Sequence, residues 1–301
     1  MQASSAVVKP ILAVLVVGCL QSPAAAWEPH SQAVASGEKS LKLDDKSLDE
    51  CSGLAFSGVD PNCIWSHNDS GDKARLYAFD DHGKDCGRIT LSGVKANDWE
   101  DMASFNDGVP RLLVADVGDN DRERKSVSLY LFDEPDPHKK HKVKQFQQIV
   151  VRYPDGPQNC ESVAVDLKHR RILLFGKSPL LATMHQVPLP DRPTPSERAD
   201  SPDVIQIQAT AQPLGRVAIP LATGMDLCPV TGDLWIAGYL HAYRYRLQQG
   251  VSLPARLSQL PEMIELPKLK QIEAIAVDPA GRVWVTSEGK PARLQRVLTD
   301  H

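Results

Sequence analysis

The chain has 301 residues, with 34 Lys and Arg against 38 Asp and Glu and a formal net charge of -4. This mildly acidic balance excludes nucleic acid or an anionic membrane surface as the main partner, because both select clustered positive charge. Hydrophobic residues make up 42% and no linker or low-complexity tract divides the chain, so one domain with a sizeable core is expected.

The N-terminus reads as a leader. Lys9 precedes an apolar run from Ile11 to Leu20, and Ala24-Ala-Ala26 supplies a small-residue cleavage site before Trp27. Residues 1–26 are thus expected to be an export signal peptide, and 27–301 a single domain in the periplasm or outside the cell. The apolar run falls short of the roughly 20 residues that a membrane-spanning helix needs. A second reading is a lipoprotein-type box, Val16-Val-Gly-Cys19, which would leave the domain anchored through Cys19.

Five times the chain then repeats one phrase: Ser52-Gly-Leu-Ala-Phe, Glu100-Asp-Met-Ala-Ser, Glu161-Ser-Val-Ala-Val-Asp166, Thr223-Gly-Met-Asp-Leu and Glu273-Ala-Ile-Ala-Val-Asp278. The intervals of 48, 61, 62 and 50 residues each fit a four-stranded sheet with its turns, the period of a propeller. A second strand follows every opening: Ile64-Trp-Ser-His, Leu112-Leu-Val-Ala, Ile172-Leu-Leu-Phe, Leu234-Trp-Ile-Ala and Val283-Trp-Val-Thr. Third strands begin at Leu76, Leu129, Met184, Tyr243 and Leu294, and fourth strands fit 88–91, 149–153, 215–220 and 263–266. Asp81-His-Gly83, Asn106-Asp-Gly108 and Pro279-Ala-Gly281 are the turns between them.

The last repeat stops at His301 without a fourth strand. The segment Ser40 to Lys46 has the relation to Glu50-Cys-Ser52 that the other outer strands have to their next repeat, so it is expected to close the last blade and remove both unpaired edges. The fold class is therefore an all-β, five-bladed β-propeller closed by its N-terminal strand. A six-bladed ring is the alternative, because Asp203-Val-Ile-Gln-Ile offers strand-like residues that are otherwise an insertion. The stretches 135–144 and 188–202 read as excursions between third and fourth strands, and His138-Lys-Lys-His-Lys142 as a solvated charged loop rather than a metal or polyanion patch.

Five cysteines lie beyond the leader, an odd number that leaves at least one thiol unpaired in a monomer. Cys63 opens a second strand and Cys86 a fourth strand of the first blade, so a disulfide between them is expected, while Cys51 and Cys160 fall in non-adjacent blades. No cysteine spacing matches a structural zinc motif.

In a propeller, first strands start and second strands end on one face around the channel. Two sets of residues project there. The first-strand starts bring Glu50 with Ser52, Asp98 with Glu100, Asn159 with Glu161, Thr223, and Gln271 with Glu273, each pair two apart and so on one side of an extended strand. The second-strand ends bring His67-Asn68-Asp69, Asp116 with Asp119, Lys177, Tyr239 with His241, and Glu288. Crowded carboxylates raise one another's pKa or recruit a cation, and hard oxygen donors from several strands suit calcium. Glu100, Glu161, Glu273 and Asn159 are the candidate metal ligands, and Glu100, Asp98, His67 and His241 the candidate catalytic groups. Asn68, Asp69, Asp116, Asp119, Lys177, Tyr239 and Glu288 are the candidate ligand-binding residues. The plainer reading is that such Asx side chains only cap their own turns. Gly-x-Ser-x-Gly, a phosphate-cradling Gly-Lys-Ser/Thr loop and His-Glu-x-x-His are all missing.

At His67-Asn-Asp-Ser-Gly-Asp72, Asp98-Trp-Glu-Asp-Met-Ala103, Asp116-Val-Gly-Asp-Asn120 and Gln271-Ile-Glu-Ala-Ile-Ala276 the chain resembles exported bacterial β-propeller proteins of mostly unassigned function. More distantly it is similar to phytase-like and SMP-30/gluconolactonase-like propellers. That resemblance implies calcium in the central channel and hydrolysis of lactones or phosphate esters. The expectation is a monomeric, metal-dependent hydrolase of a small ester, lactone or phosphoester. The alternatives are a non-catalytic platform for a protein or glycan and a glycosidase with paired carboxylates.

Overall fold

Leu112-Leu-Val-Ala115 shows why these strands are apolar at every position rather than at alternate ones. In the computed structural model, which describes residues 40–194, 196–197 and 203–299, Leu112 and Val114 pack toward the first blade while Leu113 and Ala115 pack toward the third. Both sheet faces are therefore buried, and a run of four apolar residues is what that environment selects. Five apolar clusters follow, one at each blade-to-blade interface.

After β1 (Leu41–Lys42), the first blade is built from β2 (Cys51–Phe56), β3 (Ile64–Asn68), β4 (Arg75–Phe79) and β5 (Asp85–Leu91). The second has β6 (Trp99–Asn106), β7 (Pro110–Asp116), β8 (Val127–Asp133) and, after β9 (Lys140–Val143), β10 (Phe146–Arg152). The third has β11 (Cys160–Asp166), β12 (Arg171–Gly176), β13 (Ala182–Pro188) and, after β14 (Val204–Thr210), β15 (Gln212–Val217). The fourth has β16 (Gly224–Leu227), β17 (Leu234–Ala237), β18 (His241–Tyr245) and β19 (Glu262–Glu265), and the fifth has β20 (Ile272–Val277), β21 (Val283–Ser287) and β22 (Arg293–Val297). First strands β2, β6, β11, β16 and β20 contact one another in a closed circuit, so the protein is a five-bladed β-propeller.

The N-terminal segment closes the ring as the sequence predicts: β1 pairs antiparallel with β22, Leu41 opposite Leu294 and Lys42 opposite Arg293. The chain then crosses to the first blade, where Asp44 N donates to Gly83 O and Arg88 donates to Asp45. Leu43 and Leu48, both wholly buried, join the cluster between the fifth and first blades.

The excursion over 135–144 includes a paired strand, and a second extra strand lies at 204–210, just after the excursion of 188–202. Each returns to the preceding blade as a fifth strand in parallel: β9 to β5 and β14 to β10. The Asp203-Val-Ile-Gln-Ile segment is thus an extra edge strand of the second blade, not a sixth blade, and part of the His138-to-Lys142 segment is paired sheet rather than solvated loop. The expected Cys63–Cys86 disulfide is not formed: the sulfurs do meet, but at 3.9 Å, far beyond a bond of about 2.05 Å. No described helix is long and apolar enough to cross a membrane. The expected leader, residues 1–26 with Cys19, lies outside the described residues.

Candidate functional site: an acidic channel mouth

The opening residue of the repeat owes its position to a bulge. In the first blade the pairing steps from Cys51 opposite Asn68 to Gly53 opposite His67, leaving Ser52 unpaired. The same one-residue slip leaves out Glu100 in the second blade, Glu161 in the third and Glu273 in the fifth. A bulge adds one residue to one strand and re-aims its side chain. Here it happens at four equivalent places around one channel, while in the fourth blade Thr223 stands just before β16. All five residues are buried.

Three carboxylates converge beside this ring. Asp69 follows β3, Asp98 precedes β6 and Glu100 is the bulge residue of β6; one carboxylate oxygen from each lies within 4.8 Å of the others. Backbone hydrogen bonds hold the loops in place, from Asp69 N to Glu50 O and from Trp99 N to Asp69 O, both 2.9 Å. Gly118 allows the approach: a Cβ there would collide with Glu100 Oε1 and Asp98 Oδ2. Burial raises the Asp69 carboxyl to about 8, helped by a hydrogen bond shared with Asp98 and by the charges of Asp98, Glu161 and Glu50. Burial also pushes Glu100 well up, with Glu161, Asp69 and Asp98 adding repulsion. Asp69 Oδ1 is buried and has no hydrogen-bond partner among the described residues.

Glu161 is held differently. Its Oε2 accepts from Lys177 Nζ at 3.1 Å and its Oε1 from Asn159 Nδ2 at 2.8 Å. Although burial works against the Lys177 ammonium, Glu161, Tyr239 and Glu273 more than offset it and hold Lys177 above its ordinary value. The same ammonium lies 5.5 Å from the centre of the half-buried Tyr239 ring. Glu273 accepts from Gln271 Nε2 at 3.2 Å, and burial raises it to about 7 against the pull of Lys177, with Glu288 and Glu161 adding to the rise.

The other expected site residues serve the framework. Asn68 Oδ1 accepts from Asp49 N and Glu50 N, and Asp116 accepts from Asn97 N and Asp98 N, so equivalent residues of two blades fix the approach to their own first strands. Asp119 accepts from Glu123 N and Arg124 N and closes its own loop. Asn159, expected as a ligand, accepts from Asp119 N through its amide oxygen at 2.9 Å and donates through Nδ2 to Glu161 Oε1 at 2.8 Å. His67, expected to transfer protons, is fully enclosed. Its Nδ1 donates to Asn68 O, its Nε2 abuts Gly53, and burial lowers it to about 4. His241 is the first residue of β18 and its ring faces Tyr243, 6.5 Å away.

Sequence reasoning gave no role to two carboxylates within first strands, Asp101, which is wholly enclosed, and Asp226, which is partly buried. Asp101 accepts from Met102 N, from Val163 N of the third blade and from Met225 N of the fourth. Asp226 accepts from Leu227 N and from Val277 N of the fifth. An Asp inside an apolar strand phrase was the available signal, since buried carboxylates need donors.

No protein-family model matches the sequence, and no curated protein matches it. Solved structures with similar folds do exist. A glucose dehydrogenase crystal structure aligns at TM-score 0.51 and 11% identity, covering 87% of this chain and 100% of that one. A gluconolactonase, XC5397 from Xanthomonas campestris, aligns at TM-score 0.47 and 11% identity, over 88% of this chain and 97% of that one. The PQQ-bound aldose sugar dehydrogenase of Streptomyces coelicolor aligns at 0.45 and 12%, over 86% and 97%. At such identities the likeness concerns the fold alone, and the shared fold is the β-propeller.

Proposed function

We propose that the acidic mouth is a divalent-cation site in an exported propeller that hydrolyses a small ester, lactone or phosphoester. The observation that carries the cation is the convergence of Asp69, Asp98 and Glu100, with a buried Asp69 oxygen that lacks any donor. Burial and mutual repulsion push Asp69 and Glu100 up, and a hard cation would relieve that repulsion. All-oxygen donors from separate loops fit calcium, which tolerates irregular geometry. Asp69, Asp98 and Glu100 would hold the ion, with Glu161 beside them.

Bound there, calcium would polarise a carbonyl or phosphoryl oxygen as a Lewis acid. Glu273, poised near neutrality by burial, is suited to accept a proton from water at the mouth. Lys177 fixes Glu161 and supplies a positive charge at the mouth, where it would attract an anionic or carbonyl oxygen.

Millimolar calcium should raise the melting temperature through mass action on the folded state. The calcium-loaded protein should turn over at least one member of a panel of lactones, aryl esters and phosphoesters, and chelation should abolish that turnover. No calcium shift and no turnover would leave a non-catalytic platform. One observation favours that second reading: Leu180 and Leu240 are 80% and 72% exposed on the loops that carry Lys177 and Tyr239, where apolar side chains suit a protein partner.

A further inference from the structure

At the end of the first blade opposite the mouth, a second set of ligand-type side chains meets. Cys63 precedes β3, Cys86 lies near the start of β5, Asp60 belongs to the turn before Cys63, and His138 comes from the insertion that leads into β9. Cys63 Sγ lies 3.9 Å from Cys86 Sγ, 3.6 Å from His138 Nε2 and 3.7 Å from Asp60 Oδ2. His138 Nε2 and Asp60 Oδ2 are 2.8 Å apart. The donor atoms of both cysteines and His138 all fall within 4.8 Å of one another.

These separations have a chemical meaning. Around tetrahedral zinc, with Zn–S about 2.3 Å and Zn–N or Zn–O about 2.0–2.1 Å, the edges are about 3.8 Å for sulfur to sulfur and about 3.5 Å for sulfur to nitrogen or oxygen. The three distances measured from Cys63 fit those edges. The His138–Asp60 edge is short by about half an ångström, and Asp60 lies outside the close group formed by the other three, so its carboxylate must swing away from His138 toward Cys86 to complete the polyhedron. A disulfide, by contrast, would pull the sulfurs together and leave His138 and Asp60 without a part in it.

We propose that Cys63, Cys86, His138 and Asp60 form a structural zinc site that staples the insertion to the first blade. The insertion needs such a tie. β9 is only four residues long, Lys-His-Lys-Val, and no side chain in it is fully buried. It is held in parallel on the outer edge of β5 by main-chain bonds such as Arg88 N to Lys139 O at 3.0 Å. The site escapes sequence motifs because Cys63 and His138 lie 75 residues apart.

Cobalt substitution tests this on the full chain, reduced and then freed of reductant. One equivalent of cobalt should give thiolate-to-cobalt charge-transfer absorption, which oxygen donors at the acidic mouth do not produce. Cys86→Ser and His138→Ala should each weaken binding by about tenfold or more while keeping the far-ultraviolet circular dichroism of a folded propeller. With the acidic mouth saturated with calcium, zinc should raise the melting temperature of the parent chain and not that of Cys86→Ser, and it should slow proteolysis within residues 134–145. Cobalt binding without the thiolate band, equal affinity in the parent and Cys86→Ser, or a Cys63–Cys86 disulfide in metal-free protein isolated without reductant would each overturn the assignment.

Discussion

Glu100 is kept where its charge is least welcome, beside Asp69, Asp98 and Glu161 and out of water. If that arrangement exists for a cation, Glu100→Gln should remove the calcium-dependent rise in melting temperature and the turnover, yet leave the metal-free protein as stable or more so, because a repulsive charge is gone. Gly118→Ala tests the same cradle from the backbone side. The added methyl must displace Glu100 or Asp98, so calcium affinity should fall by about tenfold, or about 1.4 kcal/mol, by titration calorimetry. Asp226 predicts a pH dependence. Burial raises it to about 7 from an ordinary 3.8, so between those values the unfolded chain has released a proton that the folded chain keeps. Its contribution to stability is full below about pH 4 and is lost as pH rises through about 7. Asp69 and Glu273 act in the same direction. In saturating calcium, therefore, the melting temperature should still decline over this range through Asp226 and Glu273, and Asp226→Asn should make that remaining slope shallower. An unchanged slope in the variant would show that Asp226 does not carry this charge.

Among the elements, β1 does more than its two paired residues imply. It covers the edge of β22 and carries the chain across to the first blade, with Leu43 buried between the two. Leu43→Ala should cost about 2–5 kcal/mol in urea unfolding through lost burial and the cavity left behind. Removing residues 38–47 should cost more and reduce solubility, since β22 would then present unpaired backbone to other chains. A truncated chain as stable and monomeric as the parent would refute closure by this strand. The bulges of β2, β6, β11 and β20 shape the mouth instead, because each turns its repeat-opening residue out of the ladder there.

For the whole molecule, the two functional readings separate on the rim. Leu180→Asp together with Leu240→Asp alters loops that carry Lys177 and Tyr239 but removes no carboxylate. In a hydrolase of small substrates, the calcium shift and kcat should stay within about twofold of the parent. In a platform, binding to a protein partner should fall by about two orders of magnitude or more, as when central apolar anchors are lost. The five interface clusters are spread around the ring, so these rim changes should leave unfolding cooperative.

Five repeats, their strand phrases and the closing N-terminal segment were legible in the sequence because burial on both sheet faces and a period near fifty residues write themselves into the order of apolar residues. The acidic face was legible for the same reason, since strand polarity assigns every loop to one end of the ring. What each acidic residue does there was not. Asn68 and Asp69 are neighbours, yet the first spends its side chain on the backbone of Asp49 and Glu50 while the second faces Asp98 and Glu100. The difference comes from hydrogen bonds and a bulge, which exist only once strands have paired. Asp101, reaching the third and fourth blades, was hidden likewise, as were the parallel pairings of β9 and β14. Cys63 and His138 meet only because an insertion folds back on the blade before it, a contact between distant parts of the chain that local pattern cannot encode and tertiary structure alone decides.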